Sequence, residues 1–235
     1  MVPAWSPRWW RKIPAAYSPF IPSRLSSLPP SLILHNIADL RIDSVKIGML
    51  QDSDIVEAVA EGLQSSGVPW LVLDTVMLAK SGDPLLSERA VATLREKLLP
   101  QVSIITPNLP EAAALLACSP ASDEKEMLRQ GRALLELGCQ AVLMKGGHLS
   151  DSESPDWLLT REGEERFTAP RVPTKNTHGT GCTLSSALAA LRPRHNDWLT
   201  TVREAKQWLQ GALQQADTLE VGQGFGPVHH FYRWW

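Results

Sequence analysis

Short apolar runs alternate with amphipathic stretches along this chain from about residue 39 onward. The apolar runs are continuous, a pattern typical of strands that are buried on both faces of a parallel sheet. They predict strands over residues 45–50, 69–74, 102–106 and 141–145, and a hairpin formed by residues 157–160 and 166–169.

Helices are predicted between these strands from apolar spacing and from end signals. Ile55, Val56, Val59 and Leu63 recur at helical spacing, and Ser87 is a typical N-cap residue. The predicted helices cover residues 53–66, 87–99, 110–117, 124–137, 180–191 and 197–216. Strands that alternate with helices indicate an α/β domain of three layers, a mostly parallel central sheet with helices on both faces.

Composition and charge exclude several classes of protein. The 235 residues carry 23 Lys and Arg against 25 Asp and Glu, so the chain lacks the basic surface that binds nucleic acid or anionic membranes. Three widely spaced cysteines without a CxxC pair argue against a disulfide framework and a zinc site. With no apolar run of membrane-spanning length and no secretory h-region, a cytoplasmic location is predicted.

Polar residues follow each predicted strand of the sheet. Ligands of open parallel sheets bind beyond the carboxyl ends of the strands, so these residues are the first candidates for a site. The segments are 48–49, 74–77, 106–111, 145–148 and 177–182. Their convergence on one sheet edge predicts a nucleotide or phosphate site.

The segment HGTGC at residues 178–182 is the strongest single signal. Gly179 and Gly181 flank Thr180 where a helix begins, and free N–H groups at a helix N-terminus form an anion hole. The spacing fits neither GxGxxG nor a P-loop. Cys182 lies in the first turn, where the helix dipole lowers a thiol pKa; the alternative is a small structural residue. For His178, a turn-capping or solvent role is favoured over that of a catalytic base.

Three further positions carry charge or metal-binding chemistry. Asp74 ends a strand, and Asn108 and Glu111 form an N-x-x-E pattern. Such carboxylates suit Mg²⁺ that is otherwise held by water and phosphate, although Glu111 is read equally well as a first-turn acid of its helix. Lys145 is a candidate partner for phosphate, with an exposed strand-end lysine as the alternative.

Six segments in order resemble hydroxymethylpyrimidine/phosphomethylpyrimidine kinases, the thiamine-pathway members of the ribokinase superfamily. They are VKIGML, LDTVMLAKSGDPLL, ITPNLPEAAALL, VLMKGGHL, NTHGTGCTLSSALAAL and the ending GPVHHF. The resemblance runs from about residue 38 to the C-terminus. It implies a ribokinase-like fold and phosphorylation of 4-amino-5-hydroxymethyl-2-methylpyrimidine, then of its monophosphate, with ATP and Mg²⁺ as cofactors. Pyridoxal kinase-like activity is an alternative, and a homodimer stays open.

The resemblance also implies roles for individual residues. Cys182 falls where this family has a cysteine and most ribokinase relatives have a catalytic aspartate, so it is the expected catalytic residue. The remaining expectations are an anion hole at Gly179, Thr180 and Gly181, ATP contacts from Lys145, Asn108 and Thr177, pyrimidine contacts from Met49 and Val76, and Mg²⁺ ligands Asp74 and Glu111. The paired histidines 229–230 and the final tryptophans are expected to form a docked tail.

The N-terminal segment departs from the family. Residues 1–38 contain seven prolines, three tryptophans and no acidic residue or glycine. The family's first βα unit, with its glycine-rich segment, is absent. Shifted by one reading frame, permitted codons for residues 10–22 spell AENTRGVQSVYP, which resembles the family at this position. We therefore expect residues 1–36 to be an aberrant, out-of-frame segment and residues 37–235 to be the kinase domain. Without the first βα unit, the chain as written is expected to be impaired or inactive as a kinase, and a catalytically inactive remnant of the kinase is the alternative function.

Overall fold

The computed structural model describes residues 40–77, 85–147, 155–220 and 222–234. The expectations about residues 1–36, including their frame and their loose packing, lie outside the described residues. The expectation that the family's first βα unit is missing also falls on residues that the structure does not describe.

A six-stranded mixed sheet runs through the described part of the chain. Its strands are β1 (Val45–Ile47), β2 (Leu71–Leu73), β3 (Ile104–Ile105), β4 (Ala141–Lys145), β5 (Asp156–Thr160) and β6 (Glu164–Phe167). They lie in sequence order; β1 to β4 are parallel, whereas β5 and β6 are antiparallel to their neighbours. Every strand that the apolar runs predict is present, and the predicted hairpin is β5–β6.

Six α-helices lie within the described part of the chain, of which the first four connect parallel strands and the last two follow β6. They are α1 (Ser53–Gln64), α2 (Glu88–Thr93), α3 (Leu109–Leu116), α4 (Glu124–Leu135), α5 (Thr180–Leu191) and α6 (Trp198–Gln214). The predicted helix at 87–99 is α-helical only to Thr93 and continues as a π-helical turn over Leu94–Leu98 and a 3-10 turn over Leu99–Gln101. Pro100 has no N–H to continue an α-helix, so the last turns adopt other hydrogen-bonding patterns.

Alternation along the strands builds the three predicted layers. Leu71 and Leu73 pack into one buried cluster, while Val72 between them packs into a second cluster on the opposite face. The first cluster is completed by apolar residues of α1 to α4 and the second by residues of α5 and α6. Each buried leucine or valine contributes about 1.5–3 kcal/mol to stability. The predicted α/β architecture with helices on both faces is confirmed.

Side-chain caps set where five of the six described α-helices begin. The cap residues each accept a hydrogen bond from a backbone N–H in the first turn of the following helix, and they are Asp52, Ser87, Asn108, Asp123 and Asp197. These caps satisfy N–H groups that have no partner within the helix. Helix α5 differs, because its N-cap is Gly179 and no side chain caps it. Among the described residues, no helix is both long and apolar enough to cross a membrane.

Candidate active site

A cavity of about 860 Å³ lies beyond the carboxyl ends of the parallel strands. The segments that follow β2, β3 and β4 each contribute to its wall, and the segment before α5 closes it. The lining residues include Asp74, Val76, Asn108, Glu111, Lys145, Thr177, His178, Gly179, Thr180, Gly181 and Cys182. The structure therefore brings together four of the five polar segments that the sequence predicts at one sheet edge, whereas residues 48–49 are not in the lining.

The glycine turn before α5 leaves the N-terminus of the helix facing this cavity. Gly179 has φ of +76°, a left-handed conformation that favours glycine. The Thr180 hydroxyl turns back and donates a hydrogen bond to the Thr177 carbonyl at 2.7 Å. A Cβ added at Gly181 would lie 3.4 Å from Nζ of Lys145, so the lysine ammonium lies directly beside the turn. The N–H groups at the start of α5 and the adjacent ammonium together are suited to binding an anion.

Two lysines flank a buried carboxylate at the floor of the cavity. Nζ of Lys46 lies 3.7 Å from Oδ2 of Asp74, and Nζ of Lys145 lies 3.7 Å from Oδ1. The Asp74 side chain is only 1% exposed. It also accepts a hydrogen bond from the Ser185 hydroxyl at 3.0 Å and a longer one from Thr106 at 3.4 Å. These contacts compensate for the loss of hydration of the carboxylate.

Glu111 is held by its own helix and by a neighbouring strand end. With Asn108 it forms a capping box, in which the Glu111 carboxylate accepts the Asn108 N–H at 2.9 Å. The same oxygen accepts from the Thr75 hydroxyl at 3.1 Å and lies 3.9 Å from Nζ of Lys145. Burial raises the pKa of Glu111 above its ordinary value, and the Lys145 charge offsets part of that rise. Glu111 is thus both a first-turn acid and a member of the charged cluster.

The pKa of Cys182 differs from the expectation that the helix N-terminus lowers it. Partial burial is the largest cause of a raised pKa, and the negative charge of Asp74 is the next. Lys46 and Lys145 lower the pKa by less. The expectation of a lowered thiol pKa is therefore not met, because partial burial and, after it, the neighbouring Asp74 carboxylate raise the pKa, and the sequence around Cys182 reveals neither.

The donor set fits magnesium only in a form that keeps most of its water. Asp74, directly after β2, and Glu111, in the first turn of α3, are hard carboxylate ligands of the type that Mg²⁺ prefers. Within the described residues, however, no group of three or more His, Cys, Asp or Glu side chains is placed to hold a metal ion. Both carboxylates already contact Lys145. A cation here would be held by one or two carboxylates with water and phosphate oxygens.

Two predicted residues stand apart from the charged cluster. The side chain of Met49 is 55% exposed, and the cavity lining does not include it. His178 lines the cavity through an exposed position, and its backbone N–H donates to the Gly226 carbonyl at 3.1 Å. That backbone pairing agrees with a structural role for the turn that contains His178.

Sequence reasoning missed three charged residues of this region. Lys46 is the central residue of β1, and a lysine within an apolar strand is a signal that could have found it. Asp156 and Lys206 form a buried ion pair that lines the same cavity. Oδ1 of Asp156 also accepts the Gly146 N–H at 3.0 Å, directly after Lys145. No local pattern reveals this pair, because its members are 50 residues apart.

The paired histidines of the C-terminal tail dock against the helices, as the sequence predicts. Trp234 does not, since it is 73% exposed, and Trp235 lies outside the described residues. The His229 N–H donates to the Ala212 carbonyl of α6 at 3.0 Å. The His230 imidazole makes a hydrogen bond with the Thr183 hydroxyl at 2.9 Å and lies against the ring of Trp208. The tail therefore contacts both α5, which begins at the glycine turn, and α6.

Comparison with known proteins gives concordant results. The family model for phosphomethylpyrimidine kinase matches residues 30–229. Hydroxymethylpyrimidine/phosphomethylpyrimidine kinases from Escherichia coli K12 and from Salmonella typhimurium are each 73% identical over 198 residues. Each alignment covers 84% of this chain and 74% of the relative. The corresponding enzyme from Rhizobium meliloti is 47% identical.

Solved structures show the same fold. An ADP complex of Bacillus subtilis pyridoxal kinase superposes with a TM-score of 0.78 at 30% identity, covering 85% of this chain and 75% of that one. Phosphomethylpyrimidine kinase from Clostridium difficile superposes with a TM-score of 0.69 at 32% identity, covering 78% and 74%. The ribokinase-like fold is thus confirmed, and the chain belongs to the phosphomethylpyrimidine kinase family.

Proposed function

We propose that this chain transfers the γ-phosphoryl group of ATP to 4-amino-5-hydroxymethyl-2-methylpyrimidine and then to the monophosphate formed. The observation that carries the proposal is the convergence of the glycine turn, Lys145 and two buried carboxylates on one cavity, in a chain 73% identical to enzymes of that name. Phosphoryl transfer depends mostly on positioning and on charge stabilisation. The arrangement supplies both.

The phosphate end of ATP would lie between the glycine turn and Lys145. The N–H groups of Gly179, Thr180 and Gly181, where α5 begins, would bind phosphate oxygens, and the lysine ammonium would balance the charge that develops on them. Asn108 and Thr177 line the same cavity and would contact the nucleotide. Val76 would contact the pyrimidine, and Met49 stays a predicted contact.

Cys182 is the proposed acceptor of the hydroxymethyl proton. It lies in the first turn of α5, beside the site assigned to the phosphate. Because the pKa of its thiol is raised, the thiol form predominates at neutral pH. A base of this kind becomes more effective as pH rises, so turnover would increase through the alkaline range.

Mg²⁺ is the proposed metal, with Asp74 and Glu111 as the residues that would hold it. When bound, a magnesium ion neutralises charge on the phosphate oxygens of ATP. The two carboxylates would share the cation with water and phosphate. Before a cation binds, Lys46 and Lys145 balance the negative charge of these two carboxylates.

The test is a coupled assay of purified full-length chain with ATP, Mg²⁺ and the hydroxymethylpyrimidine, following ADP release. We expect substrate-dependent turnover that EDTA abolishes. Mass spectrometry of the products would show the monophosphate first and the diphosphate later. ADP release that does not depend on the pyrimidine would contradict the proposal. No turnover at all would support the alternative of an inactive remnant.

Pyridoxal phosphorylation is the second candidate. It is favoured by the superposition on the pyridoxal kinase of Bacillus subtilis, whose TM-score of 0.78 exceeds that of the phosphomethylpyrimidine kinase structure. The same assay with pyridoxal in place of the pyrimidine separates the two. A higher kcat/KM for pyridoxal would reverse the order of the candidates. The division at residue 37, a cytoplasmic location and a homodimer stay predictions.

A further inference from the structure

The C-terminal motif GPVHHF has no role in the chemistry proposed above, yet it contacts the phosphate turn from two sides. Residues 226–230, here called the C-terminal segment, pair with the chain just before the turn through the His178 N–H and the Gly226 carbonyl. At its other end the His230 imidazole bonds the Thr183 hydroxyl in the first turn of α5. The same segment therefore holds the glycine turn before and after Gly179.

Asn176 joins this segment to the turn. Its Oδ1 accepts the Gly226 N–H at 2.8 Å, and its Nδ2 donates to Oδ1 of Asp217 at 2.9 Å. The Thr174 hydroxyl donates to the same Asp217 oxygen. A Cβ added at Gly226 would lie 2.6 Å from Oδ1 of Asn176, so only glycine allows this approach. One amide thus connects the C-terminal segment, the 3-10 turn over Ala216–Thr218 that follows α6, and the chain that leads into the glycine turn.

The glycine turn needs such support from outside. Gly179 and Gly181 give the backbone wide conformational freedom, and no side chain caps α5. An anion hole works only when its N–H groups are held where charge develops during the reaction, and a displacement of about 1 Å can cost about a hundredfold in rate.

We propose that Asn176 is a positioning residue of the kinase reaction, which acts through the C-terminal segment to hold the N–H groups of residues 179–181 against Lys145. The proposal rests on the proposed function, because it assigns these N–H groups to the phosphate of ATP. Asn176 itself touches no reacting atom in this scheme. Its effect is on phosphate binding and turnover, not on recognition of the pyrimidine ring.

The test exchanges Asn176 with its hydrogen-bond partner Asp217. Asn176→Asp keeps an acceptor for the Gly226 N–H but places a second carboxylate against Asp217. We expect it to lower kcat and the affinity for the ATP analogue AMP-PCP, each about tenfold, with KM for the pyrimidine little changed. Asp217→Asn in the same chain restores a donor–acceptor pair. The double variant should return both quantities to within about threefold of the starting values.

Arg132→Gln is the matched control, because it removes an exposed ion pair with Glu164 that lies away from the turn. It should leave kcat and AMP-PCP affinity unchanged. Equal values for Asn176→Asp and the starting chain would overturn the inference, as would a double variant no better than the single one. A starting chain that binds AMP-PCP but turns nothing over contradicts the proposed function alone, because affinity still reports on Asn176. Failure to bind AMP-PCP at all would overturn both proposals.

Discussion

Lys145→Met removes the cation that two buried carboxylates share. Nζ of Lys145 lies 3.7 Å from Oδ1 of Asp74 and 3.9 Å from Oε2 of Glu111. Asp74 keeps Lys46 as a partner at 3.7 Å. Glu111 keeps hydrogen bonds from Thr75 and from a backbone N–H but loses the positive charge that does most to lower its pKa. The substitution therefore leaves Glu111 with an uncompensated charge.

The size of the effect follows from these distances and from burial. Two unit charges about 4 Å apart interact by about 4 kcal/mol at an effective dielectric constant of about 20. Breaking a buried ion pair by removing one partner costs about 3–5 kcal/mol, and we expect this loss in the free energy of unfolding at pH 7.5. Lys97→Met is the matched control, since its Nζ is also 3.9 Å from a carboxylate, but both side chains are largely exposed. It should cost no more than about 1 kcal/mol.

The loss in the free energy of unfolding that Lys145→Met causes, here called the deficit, should depend on pH in a defined direction. Burial raises the pKa of Glu111 above its ordinary 4.5, so the folded chain binds a proton more tightly than the unfolded chain. Its contribution to stability is therefore greatest below about pH 4.5 and declines as pH rises through the folded pKa. Without Lys145 that pKa rises further. The deficit of Lys145→Met should shrink as pH falls from 7.5 toward 5.

Urea unfolding is followed by tryptophan fluorescence in the presence of EDTA at pH 7.5 and at pH 5.5. It measures the size of the deficit and its change with pH. The slope with denaturant should be the same for both variants, so that midpoints can be compared. A deficit for Lys145→Met no larger than that of Lys97→Met would refute the reasoning. A deficit that grows on acidification would show that Glu111 is not the group responsible.

Three further predictions concern the turn and the cysteines. Cys182→Ala should lower turnover at least about a hundredfold, abolish the alkaline rise and leave ATP affinity nearly unchanged; retained turnover would show another base. Gly179→Ala places a side chain at φ of +76° and should lower stability by about 1 kcal/mol and weaken AMP-PCP binding, measured by thermal unfolding and calorimetry. Cys139 is fully buried and its pKa is raised to about 12, so iodoacetamide at pH 8 should alkylate exposed Cys118 and spare Cys139 until the chain unfolds.

The order of elements and the place of the site could be predicted from the sequence because both depend on local patterns. Continuous apolar runs mark strands that are covered on both faces, as Leu71, Val72 and Leu73 show by packing into two opposite clusters. Cap residues such as Ser87 mark a helix start within one turn of chain. Parallel strands then bring their carboxyl ends to one edge, so the following segments meet.

Other features depend on contacts between distant residues, and only the tertiary structure decided them. Ser185 bonds Asp74 across 111 positions of chain, and Lys46 reaches the same carboxylate from a different strand. Partial burial and that carboxylate raise the pKa of Cys182, although the helix N-terminus alone predicts the reverse. Asn176 meets Gly226 in the same way, 50 positions apart. Local pattern therefore determined which residues form strands, caps and the glycine turn, whereas folding determined the charge and support around them, because burial and Coulomb interactions depend on distance in space.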